Sequence, residues 1–76
     1  MSEKTETKKP IPGKPAYRKN DRVRFECGGQ VKEGVVAIVD AYGTFFQTEE
    51  PSYDVMIEEE GCLYKHIPES LIRGIT

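Results

Sequence analysis

Apolar residues recur at every second position in several short runs of this chain, and no run sustains a helical spacing. In "NDRVRFEC" (residues 20–27), Val23, Phe25 and Cys27 fall on one face and Arg22, Arg24 and Glu26 on the other. That alternation marks a half-buried strand. The pair Gly28 and Gly29 tolerates positive φ and predicts a turn into the next strand. "QVKEGVVAIVD" carries the β-branched run 35–39 between Gly34 and Asp40, long enough for a central strand. A glycine inside such a pattern predicts a bulge at Gly34. A short strand is predicted at 44–47, with an exposed acidic loop at 49–52 after it. The sharpest local signal is "YDVMIEEEGCLYKHI", in which Tyr53, Val55 and Ile57 alternate with Asp54, Met56 and Glu58. Glu59, Glu60 and Gly61 then make the turn of a β-hairpin whose second strand is 62–67. Pro68 cannot donate to a ladder, so "PESL" predicts a single 3₁₀ turn, and Leu71, Ile72 and Ile75 supply a last short strand.

The whole predicts an all-β domain, a small five-stranded, strongly bent barrel with a 3₁₀ turn before its last strand. The first 17 residues differ in kind. They are polar and lysine-rich, carry Pro10, Pro12 and Pro15, and have Ile11 as their only aliphatic residue between Met1 and Ala16. Such a stretch buries too little to offset its ordering entropy. It is expected to be a disordered basic Pro/Lys-rich tail over 1–17, leaving 18–76 as the barrel.

Charge follows the same division. Residues 1–20 hold six basic and two acidic residues, whereas from Asp21 onward there are five basic and eleven acidic ones. The net charge of −2 therefore divides into +4 and −6. An acidic body repels phosphate, so nucleic acid would be held weakly and only through Lys8, Lys9, Lys14, Arg18 and Lys19. A chain of 76 residues leaves little room for pockets of roughly 300 Å³ or more, which speaks against an enzyme. Two cysteines without a secretion-type leader predict a reducing, cytoplasmic setting, and no apolar run approaches the ~20 residues that cross a bilayer.

Three stretches resemble the SH3-like barrel group, which includes SH3, Tudor and KOW modules. "NDRVRF" resembles a first barrel strand, "GGQVKEGVVAIVD" resembles the glycine-then-strand pattern of KOW modules, and "HIPESLIRGI" resembles an SH3 closing segment. The likeness covers about residues 19–75 and extends to small SH3-like proteins of bacteria and their mobile elements. It implies fold more than activity. Departures from peptide-binding SH3 modules are clear: the chain has no tryptophan, and Leu71 stands where a groove tyrosine would.

Among candidate chemistries, Cys27, Cys62 and His66 lack the paired spacing of a zinc site and any marked base for nucleophilic catalysis. They read as half-buried thiols and a surface imidazole, with no metal and no cofactor expected. Tyr42, Phe45, Phe46, Tyr53 and Tyr64, with Glu49 and Glu50, form the candidate binding set. Adjacent Phe45 and Phe46 would point to opposite faces of a strand, leaving one for a partner. An aromatic and acidic surface accepts cationic side chains. The expected function is a monomeric, non-catalytic module that binds a protein partner through these residues. The alternative is an accessory nucleic-acid, transcription or translation factor that touches phosphates through the tail. A third idea concerns the tail itself: "KPIPGKP" could fold over the acidic barrel and mask a binding face.

Overall fold

The computed structural model describes residues 10–45 and 47–76. Five strands lie in chain order: β1 (Arg22–Cys27), β2 (Gln30–Asp40), β3 (Ser52–Ile57), β4 (Cys62–Pro68) and β5 (Ile72–Ile75), with one 3₁₀ turn, Glu69–Leu71, between the last two. They make one antiparallel sheet in the order β4-β3-β2-β1-β5. Gly28 and Gly29 both take positive φ, +58° and +80°, as the two-residue loop joining Cys27 to Gln30 requires. The β3–β4 hairpin closes through Glu60 N–H to Ile57 C=O and Gly61 N–H to Glu58 C=O, each 3.1 Å.

The sheet is open: β4 and β5 are its two outer strands, and the closed barrel expected above is not what forms. It is nonetheless tightly curled. In a flat five-stranded sheet the outer strands would stand about 19 Å apart. Pro68 is joined to Ile72 through three 3₁₀ residues, which span only about 8 Å. Three irregularities provide the bend. Ala37 is extra between β2 and β3, Arg73 between β5 and β1, and the Lys65–His66 pair opposes the single Asp54 between β4 and β3. Bulges of this kind sharpen local twist. At the third of them His66 takes φ +62°, and the Asp54 carboxylate accepts its freed N–H at 3.0 Å.

Gly34 is not the bulge. It pairs regularly with Val23, at the point where β2 passes from β1 toward β3. A Cβ there would lie 2.6 Å from the Met56 carbonyl oxygen and 2.7 Å from Val55 Cγ1. The glycine permits a close crossing of two strands. The bulge falls at Ala37 instead and resets the alternation, so Val36 and Val39 face inward while Ile38 stays 53% exposed.

The core is Val23, Phe25, Val36, Tyr53, Val55, Ile57, Ile67 and Ile72, with Tyr17, Cys27, Val39, Tyr64 and Leu71 packed against it. The predicted strand at 44–47 is a turn. Thr44 N–H bonds Gln47 C=O at 2.7 Å and Gln47 N–H bonds Thr44 C=O at 3.1 Å, which pinches the chain around two residues instead of extending it.

Residues 10–17 depart from the tail expected over 1–17; the rest of that expectation, 1–9, lies outside the described residues. "IPGK" forms a turn with Lys14 N–H on Ile11 C=O at 3.0 Å and Gly13 at φ +82°. Proline then glycine is the sequence of a type II turn. Beyond it, the N–H groups of Gly13 and Ala16 and the Tyr17 ring, packed against the core, fasten the segment to the sheet.

Candidate functional site

One end of the curled sheet gathers residues 10–17, the turn after β2, the 44–47 tip, the 49–51 loop and the 3₁₀ turn. Gly13 N–H donates to Ala41 C=O at 2.7 Å, and a Cβ on Gly13 would meet the Tyr42 ring at 2.9 Å. Tyr42 thus lies flush against the glycine and is still 69% exposed. Gly43, at φ +77°, donates its N–H to Asp40 C=O at 3.1 Å and turns the chain into the tip. Thr44 Oγ1 also accepts Gln47 N–H at 3.0 Å, so that donor is bound by Thr44 twice. Phe45 projects from it at 89% exposure.

Two carboxylates fix the neighbouring loops. Glu50 accepts both Ser70 N–H at 2.7 Å and Ser70 Oγ–H at 3.1 Å. Glu69 Oε1 accepts Ala16 N–H at 2.9 Å and the Tyr53 hydroxyl at 2.5 Å. The same hydroxyl accepts Tyr17 N–H at 3.3 Å. The Tyr17 and Tyr53 rings meet edge to face at 5.7 Å. Burial first, and the Glu69 contact second, push the Tyr53 hydroxyl well above the usual tyrosine range; burial and then the Glu69 charge also raise Tyr17.

The predicted binding set is therefore divided. Tyr42, Phe45 and exposed Glu49 stand at this end, with Glu50 beside them but committed to Ser70. Phe46 lies outside the described residues. Tyr53 is fully buried and presents no surface: it sits on the inner face of β3 opposite Val39. Tyr64 belongs to another cluster. It packs edge to face on Phe25 at 5.6 Å, donates its hydroxyl to Glu60, and lies 5.8 Å below the Lys32 ammonium, which bonds Glu60 at 2.9 Å. There the Tyr64 hydroxyl, and after it Lys32, hold the Glu60 carboxyl below its ordinary value, while Glu60 raises both Tyr64 and Lys32. Of the basic residues assigned to nucleic acid, Lys14, Arg18 and Lys19 are exposed, and Lys8 and Lys9 lie outside the described residues.

Sequence reasoning missed Glu69, Ser70 and the backbone donors of residues 13–16. Only "IPGK" carried a local signal, that of a turn. Cys27 and Cys62 are free thiols, and no group of three metal-ligating side chains is assembled among the described residues. A depression of about 80 Å³ beside Arg22, Glu33 and Met56 is far below the roughly 300 Å³ of small-molecule sites. Among the described residues no helix is long and apolar enough to cross a membrane. Comparison with family models, curated proteins and solved structures finds no significant match to this chain.

Proposed function

We propose that this chain is a non-catalytic interaction module of the SH3-like barrel group, acting as a monomer in the cytoplasm, that binds a protein partner through Tyr42, Phe45 and the acidic 49–50 segment. The observation that carries the reading is an exposed aromatic presented on a hydrogen-bonded turn. Phe45 stands 89% exposed on a turn fixed by backbone bonds at 44 and 47 and by Thr44 Oγ1. A backbone already fixed on either side leaves less to be ordered when the aromatic enters a partner's pocket, and such side chains dominate interface energetics. Acidic neighbours favour a basic rim on that partner. The monomeric reading draws support from blunted sheet edges: β4 carries the His66 bulge and ends in Pro68, and β5 has four residues.

The experiment is a two-dimensional amide NMR titration of the full chain with a lysine-rich peptide and, separately, a short mixed-sequence RNA, each at two salt concentrations. Shifts at Tyr42, Phe45 and Glu49 with the peptide support the protein-binding reading. Shifts confined to Lys14, Arg18 and Lys19 with RNA, lost at the higher salt, would replace it with the nucleic-acid reading.

A further inference from the structure

Residues 10–16 cross the candidate site without being part of the core. None of them is buried, and Ile11 is 52% exposed. Two backbone N–H groups three residues apart bond them to the body: Gly13 to Ala41 C=O at 2.7 Å and Ala16 to Glu69 Oε1 at 2.9 Å. Lys14 N–H turns back to Ile11 C=O, and Pro12 and Pro15 have no N–H to give. At position 13 the Tyr42 ring leaves space for a hydrogen only. What the body reads is a short pattern: a glycine N–H, a second N–H three residues on, and positive charge between, suited to a surface that carries Asp40, Glu50 and Glu69.

Nothing in that pattern depends on belonging to the same chain. Resting on the protein-binding reading above, we propose that residues 10–16 are a displaceable occupant of this groove. In their place the groove takes a basic, glycine-containing turn segment of the partner, with Ala41 C=O and the Glu69 carboxylate as acceptors and Tyr42 as the floor. Tyr17, packed on Tyr53, remains the hinge. The attached segment acts as a local competitor at an effective concentration on the order of millimolar, so a partner must outbid it or bind where it has been released.

The test uses the labelled full chain and a synthetic peptide of residues 10–17. In Gly13→Val the new side chain would strike Tyr42, and the left-handed φ disfavours it, so the segment leaves while the body is untouched. Ala16→Pro removes the other donor and provides a second, milder release. Expected are a tenfold or greater acceleration of amide exchange at Gly13 in Ala16→Pro and at Ala16 in Gly13→Val. Added peptide, at about 1 mM, should shift the Ala41, Tyr42 and Glu69 amides in both variants and leave them still in the unmodified chain. A peptide carrying valine for glycine should do nothing. Failure of the peptide to move those amides in both variants overturns the proposal, as does equal movement in the unmodified chain. Phe45→Ser separates the two ideas. If it leaves peptide binding in the released chain intact while the lysine-rich peptide never shifts Phe45 in the unmodified chain, the groove stands and the tip reading falls.

Discussion

Replacing Tyr53 by phenylalanine removes one oxygen atom from the point where the sheet, the 3₁₀ turn and the incoming chain are joined. The ring is fully buried, so its packing is kept and the hydroxyl alone is tested. That hydroxyl donates to Glu69 at 2.5 Å and accepts Tyr17 N–H at 3.3 Å. A hydrogen bond to a charged acceptor contributes roughly 1.5–3 kcal/mol, and the second, longer bond adds little. The expected loss is about 2 kcal/mol at neutral pH. For a domain this small it lowers Tm by roughly 8–16 °C and the urea midpoint by about 1–2 M. The pH profile gives an independent reading. Tyr53 is raised from 10.0, so the folded chain holds its proton more tightly than the unfolded chain. Its contribution is complete below pH 10 and is lost as pH climbs from there toward the folded value. Wild-type stability should therefore fall on the alkaline side of pH 10, and the Tyr53→Phe chain should fall less steeply. The assay is urea unfolding by circular dichroism from pH 7 to 11. A variant within about 0.5 kcal/mol of wild type at pH 7 would refute the hydroxyl's role, and an unchanged alkaline slope would refute the origin given for the raised value.

Three further outcomes follow from the geometry. Gly34→Ala should cost about 3 kcal/mol, because its Cβ meets the Met56 backbone oxygen at 2.6 Å and β3 must shift; Gly29→Ala, which opens onto free space at positive φ, should cost only about 1 kcal/mol, and comparable urea midpoints would contradict the close-crossing account. Phe45→Ser should change stability by less than about 0.5 kcal/mol, since the side chain is 89% exposed; a larger drop in Tm would assign it to the fold rather than to a partner. At the other cluster, Tyr64→Phe and Lys32→Gln should each raise the Glu60 carboxyl toward 4.5, because the Tyr64 bond, and then the Lys32 bond and charge, hold it down. The wild-type benefit is present above pH 4.5 and lost as pH falls through the lowered value; a carboxyl NMR titration in which either variant leaves Glu60 unmoved would refute that partner's role.

Period two was a dependable guide wherever a strand's inward face was set by a single alternation, as in β1, where Val23 and Phe25 are fully buried. It also located the β3–β4 hairpin, and Pro68 marked the Glu69–Leu71 turn. Two other expectations, the bulge at Gly34 and the strand at 44–47, failed, each for a physical reason. In β2 the alternation is broken by an alanine, and nothing distinguishes a bulged Ala37 from a regular one until β3 is laid beside it. At 44–47, two phenylalanines signal strand propensity, but the mutual backbone bonds of Thr44 and Gln47 close a turn that propensity does not see. Closure was the third difference. Local pattern gives strand number and bend, whereas whether β4 and β5 pair is decided by how the bulges add up across the sheet.

The candidate site was less legible than the fold because its fastening is almost wholly main-chain. Residues 10–17 hold no buried aliphatic side chain, and by composition they belong with disordered segments. They are placed by four donors, the N–H groups of Gly13, Lys14, Ala16 and Tyr17, and an N–H has no letter in a sequence. Glu69 likewise reads as one more surface carboxylate, fifty-three residues from Ala16. Its role follows from the curl of the sheet, which carries the 3₁₀ turn to the end of β3 where Tyr53 lies. Curvature thus has a consequence beyond packing. With both outer strands blunted against pairing, the recognition proposed above falls to the end where loops converge, and there the chain has put its own segment over acceptors that another chain could use.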